Sequence, residues 1–447
     1  MSYTDFVEGK KHSSIDDGIP ITDIPSCLFP FQAHIVELAA RRGRFACFED
    51  TGLGKTIQEL VLAQHYAKTT GKPTLILTPL AVAYQFEREA EKFGVADCSQ
   101  TKDGTFSSDV VTCNYERMHK LDPYDFGCVI LDESSILKNF DGKIKNQINS
   151  FMREVKYRFL FTATPAPNDF IELGTSSEAL GFLGYMDMLS MFFTNKEKTS
   201  DPTRVGSPWY LKDHAEEDFF SWVSTWSISI KRPEDLGFSD SGYDLPDLVE
   251  NNSVVQFSLP EFADLKKLRM TDLRKVQKES VGLRCERAAE LALANDKSVI
   301  WCHRNDEADE LTRLVGCPEV SGSMNVDKKE EVLLAFATGE VDRLVTKPKI
   351  TGFGLNWQHC NHTVYFPTYS FEQYYQSIRR FWRFGQKQPV TVDRVLSSSE
   401  LQVLDTLESK SVKAGKLYVK LNEKLNSDFS IDMPVFDERV KSPSFLR

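Results

Sequence analysis

Phe48-Glu49-Asp50-Thr51-Gly52-Leu53-Gly54-Lys55-Thr56 lies between two apolar segments of different period, and that contrast decides the fold. Before it, Arg44-Phe45-Ala46-Cys47-Phe48 is apolar and of strand length; after it, Ile57-Gln58-Glu59-Leu60-Val61-Leu62-Ala63 is apolar at helical spacing. A glycine-rich turn between a buried strand and a helix is the setting of a phosphate-binding loop. Gly52 and Gly54 allow the tight bend that turns successive N–H groups and the helix N-terminus toward one anion. Lys55 supplies a mobile cation for β- and γ-phosphates, and Thr56 a hydroxyl for a Mg²⁺ ion. The strict pattern has a further glycine six residues before the lysine, where this chain carries Glu49.

Outward from this loop, strand and helix patterns alternate. Pro30-Phe31-Gln32 opens an apolar-periodic helix. Thr74–Thr78, Asp109–Cys113, Cys128–Leu131 and Arg158–Thr162 read as buried strands, with an amphipathic helix over Ala83–Phe93. Such alternation predicts a parallel sheet covered by helices on both faces. Between about 175 and 255 the rhythm breaks into a Phe-, Met- and Trp-rich stretch, expected as a mostly helical insertion and connector. A basic run follows from Asp264 to Ser280; its pattern fits a solvated helix face and a nucleic-acid contact equally well. A second α/β series then begins, with strands at 297–302, 342–346 and 362–366. Its helices are expected over 305–315, 326–337, 371–382 and 400–421. The fold class is therefore α/β, with two tandem units and a helical insertion. The expected divisions are a leader at 1–24, a first domain at 25–174, the insertion at 175–255, a second domain at 256–422 and a tail at 423–447.

The chain has 447 residues and a net charge of −11, which argues against indiscriminate nucleic-acid binding but permits a local basic cleft. No apolar run approaches the roughly 20 residues that span a bilayer, and the N-terminus has no signal-peptide pattern. We therefore expect no membrane partner and no secretion. Nine scattered cysteines without a Cys-x-x-Cys pair point to a reducing cytoplasm and no structural zinc. His359-Cys360-Asn361-His362, the one metal-like cluster, reads as a turn.

Two further groups carry chemistry. Leu131-Asp132-Glu133-Ser134-Ser135 puts paired acids at the C-terminal end of a buried strand, the edge where ligands sit in an open parallel sheet. Asp132 is placed to hold Mg²⁺ and Glu133 to orient and deprotonate water. Thr162-Ala163-Thr164-Pro165 ends the next strand at the same edge. Far downstream, Gln376, Arg380 and Arg383 fall on one face of the expected helix, spaced to reach a γ-phosphate as arginine fingers.

In this order the motifs resemble those of superfamily 2 helicase-like ATPases, and within them the Swi/Snf branch of double-stranded DNA translocases, in a compact bacterial or viral form. Leu28-Phe29-Pro30-Phe31-Gln32 resembles the entry motif, which implies that Gln32 reads adenine. Asp50–Thr56 is similar to the branch's phosphate loop, in which the outer glycine is absent. Leu75–Leu80 with Gln85–Glu89 resembles motif Ia, and Asp132-Glu133 with Lys138-Asn139 the acidic box. Thr162–Pro165 with Asn168 resembles motif III; Thr346-Lys347 with Gly352-Phe353-Gly354-Leu355-Asn356 resembles motif V; Gln376, Arg380, Arg383, Gly385 and Gln386 fall at motif VI spacing. Two departures stand out: the box ends Ser134-Ser135 where the branch has a histidine, and Trp382 replaces another.

The resemblance implies two RecA-like domains that bind ATP with Mg²⁺ and walk along duplex or branched DNA. It places Gln32, Thr51, Gly52, Gly54, Lys55, Thr56, Gly352 and Gly354 on the nucleotide and Thr56 and Asp132 on the metal. Lys55, Asp132, Glu133, Gln376, Arg380 and Arg383 are the expected catalytic set. Candidates for nucleic-acid contact are Pro79, Thr162, Lys266, Lys267, Arg274, Lys275 and Lys347. A strand-separating DNA or RNA helicase and an ATP-insensitive binding protein on the same fold remain the competing readings.

Overall fold

A computed structural model describes residues 11–12, 16–79, 82–138, 142–196, 208–241, 243–257, 259, 270–351, 356–424 and 431–432. The chain divides into two units. The first comprises residues 1–200, 206–239 and 414–447, and the second 201–205 and 240–413.

The first unit is built on a seven-stranded sheet. Its strands are β1 (Arg44–Glu49), β2 (Thr74–Thr78), β3 (Cys98–Gln100), β4 (Val110–Asn114), β5 (Cys128–Asp132), β6 (Tyr157–Thr162) and β7 (Ser227–Ile230). They lie in the order β7-β1-β6-β5-β2-β4-β3, every pair parallel. The inner strands are continuous apolar runs because both faces are covered: β2, β4, β5 and β6 are buried at every position. Helix α1 (Pro30–Arg42) precedes β1, with proline at its first turn and Gly43 closing it at φ 73°. Helix α2 (Lys55–Thr70) follows the glycine-rich turn.

The stretch expected as helical insertion does hold the helices Leu173–Leu180, Tyr185–Phe192 and Glu216–Trp226. It also returns β7 to the sheet edge beside β1, which its aromatic richness did not announce. Phe219, Phe220, Trp222 and Trp226 from this stretch pack with Phe48, Leu77, Leu131 and Leu160 in one apolar core.

The second unit has a six-stranded, all-parallel sheet: β8 (Leu248–Val255), β9 (Ser298–Trp301), β10 (Glu319–Val320), β11 (Arg343–Thr346), β12 (His362–Tyr365) and β13 (Val390–Ser397). The order is β8-β13-β12-β9-β11-β10. Three of these strands lie outside the strand pattern of the sequence: β8, β13 and the two-residue β10. β8 is a polar edge strand with most of its residues partly or fully exposed. β13 is buried yet carries Asp393 and Arg394, because each finds a partner across the sheet. Asp393 Oδ2 meets His362 Nε2 at 2.9 Å, and the Arg394 guanidinium lies 3.5 Å from Glu250. The Asp393–His362 hydrogen bond holds the Asp393 carboxyl below its ordinary range. His362 opens the strand expected at 362–366, after a turn at 358–359, and Cys360 donates its thiol to the His362 carbonyl. Among the described residues no group of His, Cys, Asp or Glu side chains is arranged to hold a metal ion by itself, and no described helix is long and apolar enough to cross a membrane.

One expected helix is shorter than its periodicity suggested. Helix α3 runs Phe371–Ile378 and stops before the arginines. The reason is tertiary: Phe381 is fully buried against Trp301 and Trp357, and the chain turns after Ile378 to put it there. Arg380 and Arg383 therefore sit in the turn and do not share a helical face with Gln376. Finally, α4 (Leu401–Lys424) leaves the second unit after β13.

Candidate nucleotide site and basic cleft

The phosphate loop has the geometry its glycines permit. Gly52 and Gly54 have φ of 91° and 82°, in the left-handed region. A Cβ on Gly54 would also come within 2.3 Å of Gln32 Nε2. No side chain caps α2, so its first-turn N–H groups remain available to an anion. Lys55 Nζ donates to the carbonyls of Glu49 (3.0 Å) and Asp50 (3.2 Å), folded back over its own loop. The Thr51 N–H bonds the Asp50 carboxylate at 2.6 Å. A flexible lysine over a glycine cradle with an uncapped helix end fits a nucleotide's phosphates.

Gln32 is locked. Its Oε1 accepts from the Phe29 N–H (2.9 Å) and its Nε2 donates to the Leu53 carbonyl (2.7 Å). This fixes which end of the amide carries the donor, leaving a second lone pair and a second N–H. An amide so oriented complements the N6 donor and N7 acceptor of adenine.

The acidic box stands at the C-terminal end of β5, next to β2 and β6. Asp132 Oδ2 accepts from Thr78 Oγ1 at 2.8 Å, and the Asp132 carbonyl from the Tyr115 hydroxyl at 2.5 Å. Burial, then the neighbouring Glu133, pushes the Asp132 carboxyl upward; Thr78 and Lys55 pull it back. Lys55 is thus within electrostatic reach of Asp132. Glu133 is the one non-glycine residue among those described with a positive φ, 53°. Its Oε2 accepts from Thr162 Oγ1 at 3.3 Å, so the strand end expected beside the box does touch it. Ser134 and Ser135, in the histidine's place, are buried.

Three features here escaped sequence reasoning. Glu49, where the outer glycine would stand, is fully buried, accepts from Gln58 Nε2 at 2.7 Å and is pushed by burial up to about 7. Glu59 is also fully buried, neither carboxyl oxygen having a hydrogen-bond partner among the described residues, and desolvation drives it well up. Thr78 and Tyr115 meet Asp132 through space, with no spacing in the sequence to mark it.

In the second unit Gln376 is buried, its Nε2 without a hydrogen-bond partner among the described residues. Arg380 is buried too, and its carbonyl accepts from the Trp357 N–H at 2.9 Å. Arg383 donates to Asn356 Oδ1. Gly385 has φ 91°, and Gln386 is consumed by backbone contacts to Cys360, Phe381, Lys387 and Gln388. Trp382 Nε1 donates to the Pro246 carbonyl at 2.6 Å.

A cleft of about 830 Å³ opens in the same unit, lined among others by Arg274, Arg304, Lys347 and Lys349, with Asp309 and Glu319. Lys347 Nζ donates to Asn305 Oδ1. His303 also lines it, but burial pushes its imidazole down to about 4, so it adds no charge near neutral pH. Lys275 is exposed on the helix that carries Arg274, and Pro79 is half-buried at the end of β2. Lys266, Lys267, Gly352 and Gly354 lie outside the described residues.

Two parallel α/β units, one with a phosphate loop facing paired acids, define a tandem RecA-like nucleotide-binding protein. Sequence profiles agree: residues 46–187 match the SNF2-related domain, and residues 284–385 the helicase conserved C-terminal domain. Among curated proteins, the chain is 31% identical over 179 residues to the cattle (Bos taurus) SWI/SNF-related matrix-associated actin-dependent regulator of chromatin subfamily A-like protein 1, covering 35% of this chain and 19% of that protein. It is 29% identical over 171 residues to the cattle DNA annealing helicase and endonuclease ZRANB3, covering 34% of this chain and 16% of that protein. The chain thus spans about a fifth or less of the length of these relatives. A solved Sulfolobus solfataricus SWI2/SNF2 ATPase core in complex with dsDNA aligns over 93% of this chain and 98% of that one, at 18% identity and a TM-score of 0.40. The chain thus carries an SNF2-related domain followed by a helicase conserved C-terminal domain.

Proposed function

We propose that this chain hydrolyses ATP with Mg²⁺ and uses the cycle to move along duplex or branched DNA. The observation that carries the reading is the meeting of the phosphate-loop lysine and the acidic pair at one sheet edge, close enough for Lys55 to draw the Asp132 carboxyl down. On ATP, Lys55 would leave the Glu49 and Asp50 carbonyls for the β- and γ-phosphates, while Thr51, Gly52 and Gly54 shape the cradle. Thr56 and Asp132 are suited to hold the metal, which supplies charge neutralisation of the phosphate oxygens. Glu133 orients the attacking water and takes its proton. Gln32, held by Phe29 and Leu53, selects adenine over guanine, whose O6 would face Oε1 of the fixed amide. Gln376, Arg380 and Arg383 are assigned to the γ-phosphate in the transition state.

The DNA track is assigned to the cleft containing Arg274 and Lys347, with Lys275, Lys266, Lys267, Pro79 and Thr162 as further candidates. With a net charge of −11, affinity must come from such local cations. Nine cysteines without a disulfide fit a reducing compartment, the cytoplasm of a bacterium or of a virus-infected cell. The test is phosphate release from ATP with and without duplex DNA, alongside GTP. We expect DNA to stimulate turnover and ATP to be preferred. Turnover indifferent to DNA would sink the translocase reading; absence of turnover would sink the enzyme reading as well.

A further inference from the structure

The acidic box depends on an unusual backbone. Glu133 adopts a left-handed conformation that a residue with a Cβ resists, and no other described non-glycine residue does so. Something must hold it there, since strain persists only where the surroundings over-determine it.

The peptide plane joining Asp132 to Glu133 is pinned at both ends. Its carbonyl oxygen, on Asp132, accepts from the Tyr115 hydroxyl at 2.5 Å. Its N–H, on Glu133, bonds the Asp132 carboxylate. That carboxylate is held in turn by Thr78 Oγ1 at 2.8 Å. Because the peptide is planar, fixing its oxygen and its hydrogen fixes the plane from which Glu133 φ is set. Both hydroxyls come from neighbouring strand ends. Thr78 closes β2, whose Leu77 is in register with Leu131 of β5; Tyr115 follows β4, on the far side of β2. Thr78 is fully buried and Tyr115 is 4% exposed, with its ring in the apolar core of the first unit. Their hydroxyls are therefore committed to the box and not to solvent.

We propose that Tyr115 and Thr78 are positioning residues of the hydrolytic centre: together they clamp the Asp132–Glu133 peptide and thereby aim Glu133 at the water. This rests on the ATPase reading above. The clamp acts on the direction of the general base, so it governs turnover and leaves nucleotide affinity alone.

The variants are Tyr115→Phe and Thr78→Val, each deleting one hydroxyl while keeping shape, with Thr78→Ser as the conservative control. In the full chain, ATP hydrolysis is measured alongside the affinity for a fluorescent ATP analogue in EDTA and the hydrogen exchange of the Glu133 amide. Losing the hydrogen bond to the Asp132 carboxylate predicts a kcat lower by roughly 10- to 100-fold for Thr78→Val, and losing the one to the neutral Asp132 carbonyl predicts a kcat lower by roughly 3- to 10-fold for Tyr115→Phe. Analogue affinity should stay within about 2-fold, Glu133 amide exchange should accelerate, and Thr78→Ser should recover most of the turnover. In a Glu133→Gln background, Tyr115→Phe should add no further loss, because the group it aims is already disabled. Unchanged kcat in both Tyr115→Phe and Thr78→Val, or losses of affinity and turnover in step, would overturn the clamp. So would a full additional loss in the Glu133→Gln background. If Tyr115→Phe does not fold, the Thr78 pair decides alone. A Glu133→Gln protein with the turnover of the parent would instead overturn the assignment of Glu133 itself, and the clamp with it.

Discussion

Glu49 offers a quantitative handle on the phosphate loop. Its carboxyl is fully buried beneath Lys55 and Gln58, and burial lifts it from 4.5 to about 7. The usual sign for an acid is reversed here. Between these two values the folded protein holds a proton that the unfolded chain has released, so stability falls as pH rises through the window. Lys55 and the Gln58 amide already offset part of the burial, so what remains is the net cost of the charge. Inside the window each step of one in pH is worth about 1.4 kcal/mol, and above it the loss levels off. Moving from pH 5.5 to pH 8 should therefore cost the folded protein about 2 kcal/mol through this residue alone. Glu49→Gln keeps the shape and can still accept from Gln58, but has no proton to lose. Urea denaturation of both proteins at the two pH values isolates the effect, because every other titrating group is common to both. The parent should lose about 2 kcal/mol more than the variant over that interval. Identical pH trends would refute the reasoning, and would mean that the Glu49 carboxylate is stabilised where it sits.

The remaining expectations concern turnover and binding. Lys55→Ala should abolish ATP hydrolysis, whereas Glu133→Gln should keep ATP bound and unhydrolysed; rapid-quench and filter-binding assays separate the two. Arg380→Ala and Arg383→Ala should each lower kcat by roughly 10³-fold with ATP affinity retained, since a finger acts in the transition state; parallel loss of affinity would assign the turn a structural role. Arg274→Ala combined with Lys347→Ala should flatten the slope of log affinity for duplex DNA against log salt by roughly 1.8, whatever the DNA sequence; an unchanged slope would remove the cleft from the DNA track.

The parts of the site that could be read from the sequence are those whose signal is local. A glycine turn between a strand and a helix, and two acids at a strand end, declare themselves within a dozen residues. Asp132 stands at the edge its strand pattern predicts, and Thr162 touches Glu133 from the neighbouring strand. The second unit was harder because its exceptions are compensated at a distance. The charge on Asp393 and Arg394 disguised β13, yet His362 and Glu250 offset it across the sheet. Helical spacing from Phe371 to Trp382 was genuine, but burying Phe381 against two tryptophans outweighed it and ended α3 at Ile378. Tyr115 lies in an irregular segment, and nothing in its spacing reveals that its hydroxyl reaches Asp132.

Helix α4 has a consequence for how the protein is made. Leu417 and Leu421 near its end belong to the same apolar core as Phe48, Leu131 and Trp222, and the Tyr418 hydroxyl donates to the Ala163 carbonyl at 2.7 Å. On a ribosome, the strands carrying the phosphate loop and the acidic box emerge long before these three side chains are synthesised. The nascent first unit must wait through the whole of the second with part of its apolar surface uncovered. Agents that shield such surfaces would matter most during that interval, and a ribosome stalled ahead of Leu417 would leave behind an aggregation-prone fragment.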